Sequence, residues 1–238
     1  MRYELYYWPE IPGRGEFVRL ALEDANADYL DVARLPKRGI SAMMRFLESR
    51  SLTYPPFAPP FLKAGKLVIA QTANILLFLG PRLGLVPKNE ASRLWAHQLQ
   101  LTIADWVGEV HDTHHPISGG LYYEEQKREA KRRAADFRDN RLPKFLDYFE
   151  DILKRNPKGH YLVGRTIAYV DLSMFQMIAG LRFAFPRAMT RLERKVPRLA
   201  ALVDCISARP RLAAYLNSPR RLPFNQEGLF RHYPELDG

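Results

Sequence analysis

A chain of 238 residues with 47% hydrophobic content can bury one large core or two smaller ones, which excludes an intrinsically disordered polypeptide. Lys and Arg outnumber Asp and Glu 36 to 26, a formal charge of +10 that describes a basic, well-solvated surface and by itself assigns no anionic partner. Cys205 is the one cysteine, so an intramolecular disulfide and a Cys-x-x-Cys redox or zinc pair are excluded and a reducing, cytoplasmic setting is expected. The segment Met1-Arg2-Tyr3-Glu4-Leu5 lacks an apolar leader core, and no run of about 18 apolar residues follows, so neither secretion nor membrane insertion is expected.

Tyr3 to Trp8 is aromatic-rich and reads as a first strand, closed by Pro9 and a turn through Pro12 and Gly13. Phe17, Leu20, Ala21 and Asp24 then share one face of a helix, with Val18, Leu22 and Ala25 on its flank. Tyr29 to Ala33 reads as a second strand and Ile40 to Leu47 as a short helix. After the double proline Pro59-Pro60 come a short strand, a hairpin turn Lys63-Ala64-Gly65-Lys66 and a strand Leu67 to Ala70. Gln71-Thr72 opens a helix through Ile75, Leu76 and Leu79 that Gly80-Pro81 is expected to stop. A strand running straight into a helix N-terminus with a hydroxyl is suited to an anion.

Residues 83–89, with Gly84 and Pro87, read as a linker, and beyond them strand signals vanish. Helices are expected from Glu90 to about Ile117, from Glu124 to Leu153 with a break at Pro143, from Val163 to Phe185, from Val196 to Ile206 and from Arg211 to Leu216. The Val163 to Phe185 helix is apolar all round and so central. Cys205, among Leu202, Val203 and Ile206, is expected to be a buried small hydrophobe. The tail from Pro219 to Gly238 is too aromatic for a disordered end and is expected to dock on the body, over a cleft. The mixed charges of Lys127 to Arg141 describe a solvated helix rather than a nucleic-acid surface.

This order, βαβ-α-ββα followed by an all-α domain, with a proline before the third strand and a helix-opening Gln-Thr, resembles the glutathione S-transferase family over essentially the whole chain. The family register of Pro-x-Leu, Gly and Gln-Ser reads here as Pro60-Phe61-Leu62, Gly65 and Gln71-Thr72, with Thr in place of Ser. The resemblance implies a thioredoxin-like glutathione-binding domain at 1–82, a linker at 83–89 and an all-helical domain with its tail at 90–238. It implies that Pro60 is cis, and that Pro59, Pro60, Gln71 and Thr72 cradle glutathione, with Thr72 and the helix N-terminus holding the γ-glutamyl carboxylate. Asp105 would reach the glutathione amine across a homodimer interface, and His111 and His115 would border the cleft for a hydrophobic electrophile. Pro59 departs from the pattern. It has no N–H where the family usually pairs both backbone groups with glutathione, a loss of about 0.5–1.5 kcal/mol.

Members of the family stabilise the thiolate with a Tyr late in strand one or with a Ser or Cys near the first helix. Trp8 to Glu16 contains no Ser, Thr or Cys, which leaves Tyr7 or, alternatively, Tyr6; the two point to opposite faces of a strand. Tyr7-Trp8 resembles the Tyr-aromatic pair of the tyrosine-type classes, although the loop to Gly13-Arg14-Gly15 is one residue longer. The function implied is conjugation of glutathione, as co-substrate and with no further cofactor, to an electrophilic small molecule. The alternative is a non-catalytic glutathione-binding or protein-interaction module of the same fold. His111 and His115 share a helix face at i, i+4, but Glu does not follow His111 and no third ligand is evident, so no metal is expected. Asp171 matches the family's N-capping box, half lost because its partner is Ala168.

Overall fold

The computed structural model describes residues 2–37, 39–156 and 159–238. Strand β1 (Tyr3–Tyr6) is interior to a four-stranded sheet of order β2-β1-β3-β4. It runs parallel to β2 (Tyr29–Asp31) and antiparallel to β3 (Phe61–Ala64), which in turn pairs antiparallel with β4 (Leu67–Ala70). Ala64 pairs with Leu67, so Gly65 and Lys66 form a two-residue turn, and Gly65 supplies the positive φ of 62° that such turns require. The peptide bond Pro59-Pro60 is cis.

Side-chain alternation divides the strand residues between two layers. Tyr3 and Leu5 pack with Val18, Leu22, Ile75 and Leu79 of α1 (Gly15–Asp24) and α3 (Thr72–Leu83). Tyr6 faces the other way, stacked on Phe61 at a centroid distance of 4.6 Å and close to Phe46 and Met43 of α2 (Gly39–Leu47). Two expectations shift here. Strand β2 stops at Asp31, because Val32–Arg34 turn into a single 3-10 turn. Helix α3 runs past Gly80-Pro81 to Leu83 and is closed by Gly84 at φ 70°. Gly80 serves close packing instead of termination: a Cβ there would lie 2.7 Å from the Tyr169 ring.

The second half is helical, with α4 (Glu90–Asp112), α5 (Lys127–Asp136), α6 (Leu142–Lys154), α7 (Tyr169–Ala184), α8 (Pro186–Leu192), α9 (Pro197–Ser207), α10 (Pro210–Leu216) and a closing turn α11 (Pro234–Asp237). Helix α4 starts where the Asn89 side chain accepts the Ser92 N–H at 2.8 Å, and ends one turn before Pro116. Pro143 falls in the first turn of α6, where its missing N–H costs no helical bond, and a π-helical turn over Phe137–Arg141 joins α5 to α6. Helix α7 begins at Tyr169 rather than Val163 and is buried on nearly every side, as an all-round apolar pattern requires. At its start the Asp171 carboxylate accepts the Leu162 and Ala168 N–H groups, each at 2.7 Å. Burial pushes Asp171 up to about 7. Ala168 offers no side-chain oxygen in return, so the capping box is half present.

The expectation for Cys205 is overturned, since its side chain is exposed. The apolar stripe of α9 is Leu199, Leu202, Val203 and Ile206, and a residue one step before Ile206 is rotated about 100° away from it. Helix α8 was not expected, because Pro186 and two arginines in seven residues mask its buried Ala188, Met189 and Leu192. Among the described residues no helix is long and apolar enough to cross a membrane.

The tail docks as expected. Tyr233 stacks on Tyr123 with 3.7 Å between centroids, Phe230 packs on Gly180, and Asp237 caps α8 by accepting the Arg187 N–H at 2.8 Å. It also reaches the first helix. The fully buried Glu16 of α1 accepts the Tyr215 hydroxyl at 2.7 Å, pairs with Arg221, and lies 3.2 Å from Arg19 Nη1. Arg19 in turn pairs with Asp31 at 2.6 Å, and Arg209 grips Asp24 through two bonds of 2.6 and 2.9 Å. Two-point guanidinium contacts of this kind fix orientation as well as distance.

Candidate functional site

Tyr7 is the first residue past β1, and the β1–β3 register continued by one step sets it opposite the cis residue Pro60. The chain then loops through Pro9 and Pro12 and returns, so that Gly13, Arg14 and Gly15 wrap the Tyr7 ring. A Cβ on Gly13, at φ 42°, would sit 2.2 Å from the Tyr7 oxygen, and one on Gly15 would sit 2.5 Å from its ring. Only glycine allows this close approach. The Tyr7 oxygen accepts the Arg14 N–H at 2.9 Å, at the entrance to α1, and its own proton has no acceptor among the described residues. Burial pushes the Tyr7 phenol up, against a smaller opposing effect of the Arg14 N–H and of the Arg14 and Arg19 charges, so at neutral pH it is a proton donor. Tyr6 is disposed differently: its hydroxyl donates to Glu4 at 2.7 Å on the α2 face of the sheet.

The helix-opening pair lies beside this loop. Gln71 has φ 68° and ψ 120°, a left-handed backbone uncommon for a residue with a side chain and typical of strained functional turns. Gln71 is itself the N-cap position, so Thr72 is the first helical residue and not the cap. The Thr72 hydroxyl points back across the gap to the Arg14 carbonyl, at 3.5 Å. Arg14, Gln71 and Thr72 share one cavity of about 290 Å³ with Asn74 and with His97 and Gln100 of α4. Asp105 is exposed on α4 and does not line this cavity, although its neighbour Ala104 does. Pro60 is buried and Pro59 half-buried at the head of β3.

The end of α4 carries a histidine cluster. His111 and His115 stack at 5.0 Å, and His114, fully buried between them and the tail, stands edge-on to both. His114 Nε2 lies 2.9 Å from the Leu229 carbonyl, which can only accept, so this nitrogen carries the proton and Nδ1 is left to accept from His115 Nδ1–H. Burial, with Arg14 adding to it for His111 and Arg231 for all three, holds the cluster neutral: His111 falls to about 4, His114 to about 3, and His115 is also lowered. No set of three His, Cys, Asp or Glu side chains among the described residues is arranged to hold a metal ion. The tail closes the opposite wall, with Asn225 donating to the Glu10 carbonyl at 2.9 Å and Gly228 near Ile11.

The cluster makes the fold acid-sensitive. Folded values below the unfolded value of about 6.5 mean that the unfolded chain takes up more protons as pH falls from about 6.5 towards 4, so the stability these histidines contribute is present above that window and lost within it. Asp171, raised to about 7, works oppositely: what it contributes is present below its unfolded value and lost as pH rises through about 7. Comparing His114→Gln with the wild type isolates the histidine part. Urea unfolding at pH 7.5 and pH 5 is expected to show the variant losing about 1–2 kcal/mol less than the wild type on acidification; equal losses would contradict the assignment.

Sequence reasoning selected Tyr7, Gln71 and Thr72, and these flank one loop. It missed the Arg14 N–H as partner of the tyrosine, the buried His114 and the cavity residue Gln100. For Gln100 a signal existed: it is a polar residue on the apolar face of α4 shared by Ala96, Leu99, Ile103 and Val107.

Comparison with known proteins follows the same outline. A family model described as the glutathione S-transferase C-terminal domain matches residues 111–219. Among curated proteins, the glutathione S-transferase of Plasmodium falciparum is 25% identical over 220 residues, covering 90% of this chain and 94% of that one. The glutathione S-transferase P of Bos taurus is 27% identical over 235 residues, covering 95% and 98%. Of solved structures, a Pi-class glutathione S-transferase of Onchocerca volvulus superposes with a TM-score of 0.72 at 22% identity, over 96% of this chain and 99% of that one. The prostaglandin synthase D of Nilaparvata lugens gives 0.71 at 18%, over 94% and 100%. These structural likenesses concern the thioredoxin-like and all-helical fold.

Proposed function

We propose, from the premise that the chain belongs to the glutathione S-transferase family, that it is an enzyme joining the glutathione thiolate to an electrophilic small molecule. The observation that carries the reading is the Tyr7 hydroxyl: buried, kept protonated, its oxygen already accepting the Arg14 N–H, and its proton free to donate. An N–H donated to the phenol oxygen polarises the O–H and strengthens it as a donor to sulfur. A free thiol titrates near 8.5, and lowering it by about two units requires about 2.7 kcal/mol, which one such hydrogen bond and the positive end of α1 together supply. The thiolate then attacks an electrophilic carbon, and the leaving group departs or the electron pair moves into an acceptor.

In this reading Gln71, Thr72 and the N-terminus of α3 hold the γ-glutamyl end of glutathione, and Pro59 and Pro60 present the backbone alongside its cysteine. His111 and His115, neutral and stacked, line the side where a hydrophobic electrophile enters. Two copies pair so that Asp105, exposed on α4, reaches the partner's glutathione amine. The enzyme works in the cytoplasm, uses glutathione as co-substrate without another cofactor, and engages neither nucleic acid nor membrane. The test is calorimetric titration with glutathione followed by a conjugation assay with a chloronitroarene. Saturable binding with turnover supports the reading. Binding without turnover identifies a glutathione-holding module instead, and absence of binding overturns it.

A further inference from the structure

Behind the Tyr7 ring lies a buried set of opposite charges that the conjugation chemistry described above does not use. The Arg19 side chain has no exposed surface, and its Cζ lies 5.8 Å from the centre of the Tyr7 ring. Its Nε donates to Asp31 at 2.6 Å, and its Nη1 reaches the Pro12 carbonyl at 3.3 Å and the Glu16 carboxylate at 3.2 Å. One side chain therefore ties the loop that wraps Tyr7 to the charges behind it. Arg19 Nη2 has no acceptor among the described residues, so the cation is only partly met by bonds of its own. Burial pushes the Tyr7 phenol up, and the charges of Arg14 and Arg19 oppose it.

A guanidinium is always charged, and away from water its field is weakly screened. How much of the Arg19 field acts at Tyr7 depends on the counter-charges around it. Glu16 and Asp31 together would outweigh one cation. The tail supplies the second: Arg221, nearly buried, pairs with the Glu16 oxygen that also accepts the Tyr215 hydroxyl, and its Nη2 donates to Gln176 of α7 at 3.0 Å. Arg34 stands 3.8 Å from Asp31 at the solvent edge, where water and salt screen it. With Arg221 in place, two carboxylates face two buried guanidiniums. Without it, the buried part carries a net negative charge behind the tyrosine that has to favour a thiolate.

We propose that Arg221 of the tail is a positioning residue for the thiol chemistry: by meeting Glu16 it leaves the charge of Arg19 to act on Tyr7 and on the thiolate that Tyr7 holds. The inference rests on the glutathione reading above and deepens it. The tail then belongs to the activation of the thiol and not only to the packing of α1.

Titrating the thiolate absorbance of bound glutathione on the full chain tests this by sign. Arg221→Met leaves Glu16 in excess and is expected to raise the thiol pKa of bound glutathione by about half a unit. Glu16→Gln leaves the guanidiniums in excess, keeps an acceptor for Tyr215, and is expected to lower it by about as much. Arg221→Lys keeps the charge and should recover the wild-type value. Lost packing alone would reduce the melting temperature of both variants and would not move the thiol in opposite directions. Circular dichroism sets a temperature at which each variant is folded, and if Arg221→Met does not fold, the direction of the shift in Glu16→Gln decides. An unshifted thiol, or shifts of one sign, in folded variants overturns this assignment alone. A wild type that binds no glutathione, or whose bound thiol titrates near 8.5 like the free one, overturns the glutathione reading, and this assignment with it.

Discussion

Tyr7→Phe should turn over a generic electrophile about a hundredfold more slowly while binding glutathione nearly as well. The substitution keeps the ring, so the packing against Gly13 and Gly15 survives, and it removes one donor aimed at a developing negative charge. Losing such a donor typically costs about 10²–10³ in rate, which corresponds to about 2.7–4 kcal/mol. The same loss should raise the thiol pKa of bound glutathione by about one unit, part of the way towards its free value near 8.5, because the positive end of α1 remains. Titrating thiolate absorbance in the ultraviolet against pH, with kcat/KM followed over the same range, checks both effects. A variant with normal turnover and a normal thiol titration would remove Tyr7 from the mechanism. Tyr6→Phe is the control. Its hydroxyl serves Glu4 on the far face of the sheet, and turnover should change little.

The second large effect is on stability. Glu16→Ala leaves Arg19 and Arg221 without their shared carboxylate and strips the Tyr215 hydroxyl of its acceptor in a fully buried setting. Removing one partner from a buried ionic cluster costs about 3–5 kcal/mol, because the remaining charges stay desolvated. At this chain length that is a fall of about 6–20 °C in melting temperature. Thermal and urea unfolding of the variant measure it directly. A loss below 1 kcal/mol would mean that solvent reaches the cluster and that α1 is not tied to the tail as described.

The two expectations differ in how far the sequence alone reaches them. Elimination within nine residues left Tyr7 or Tyr6, with Tyr7 favoured by its resemblance to the family's Tyr-aromatic pair; the β3–β4 hairpin was expected from a glycine at a position that demands positive φ, and that turn is present. The helix opening at Gln71-Thr72 was legible, but the positive φ at Gln71 that ends β4 was not, since no glycine or asparagine marks it. Cys205 was misjudged because neighbouring apolar residues were read as its surroundings when the helical rotation sets it about 100° off their stripe. Of the partners of Glu16, Arg19 is visible at i, i+3 within α1, but no pattern there announces Tyr215 and Arg221, which lie on α10 and the tail. The burial of Gln100 is of the same kind: its polarity is visible in the sequence, its near-complete burial beside the cavity only in three dimensions.

The pairing of Glu16 with Tyr215 spans 199 positions of the chain. During synthesis the ribosome, which adds about 5–20 residues per second, delivers Glu16 roughly ten to forty seconds before Tyr215 and Arg221, and until then the carboxylate has only Arg19 of its own helix and water to meet it. That half therefore emerges able to form its sheet and bury Val18 and Leu22 against it, but not to bury the outer face of α1 that carries Glu16, Phe17 and Leu20, and the helical half arrives not as an appendage but as the closing step of the first domain's own folding. A nascent chain arrested before residue 215 should accordingly be far more open to proteases around α1 than the finished protein.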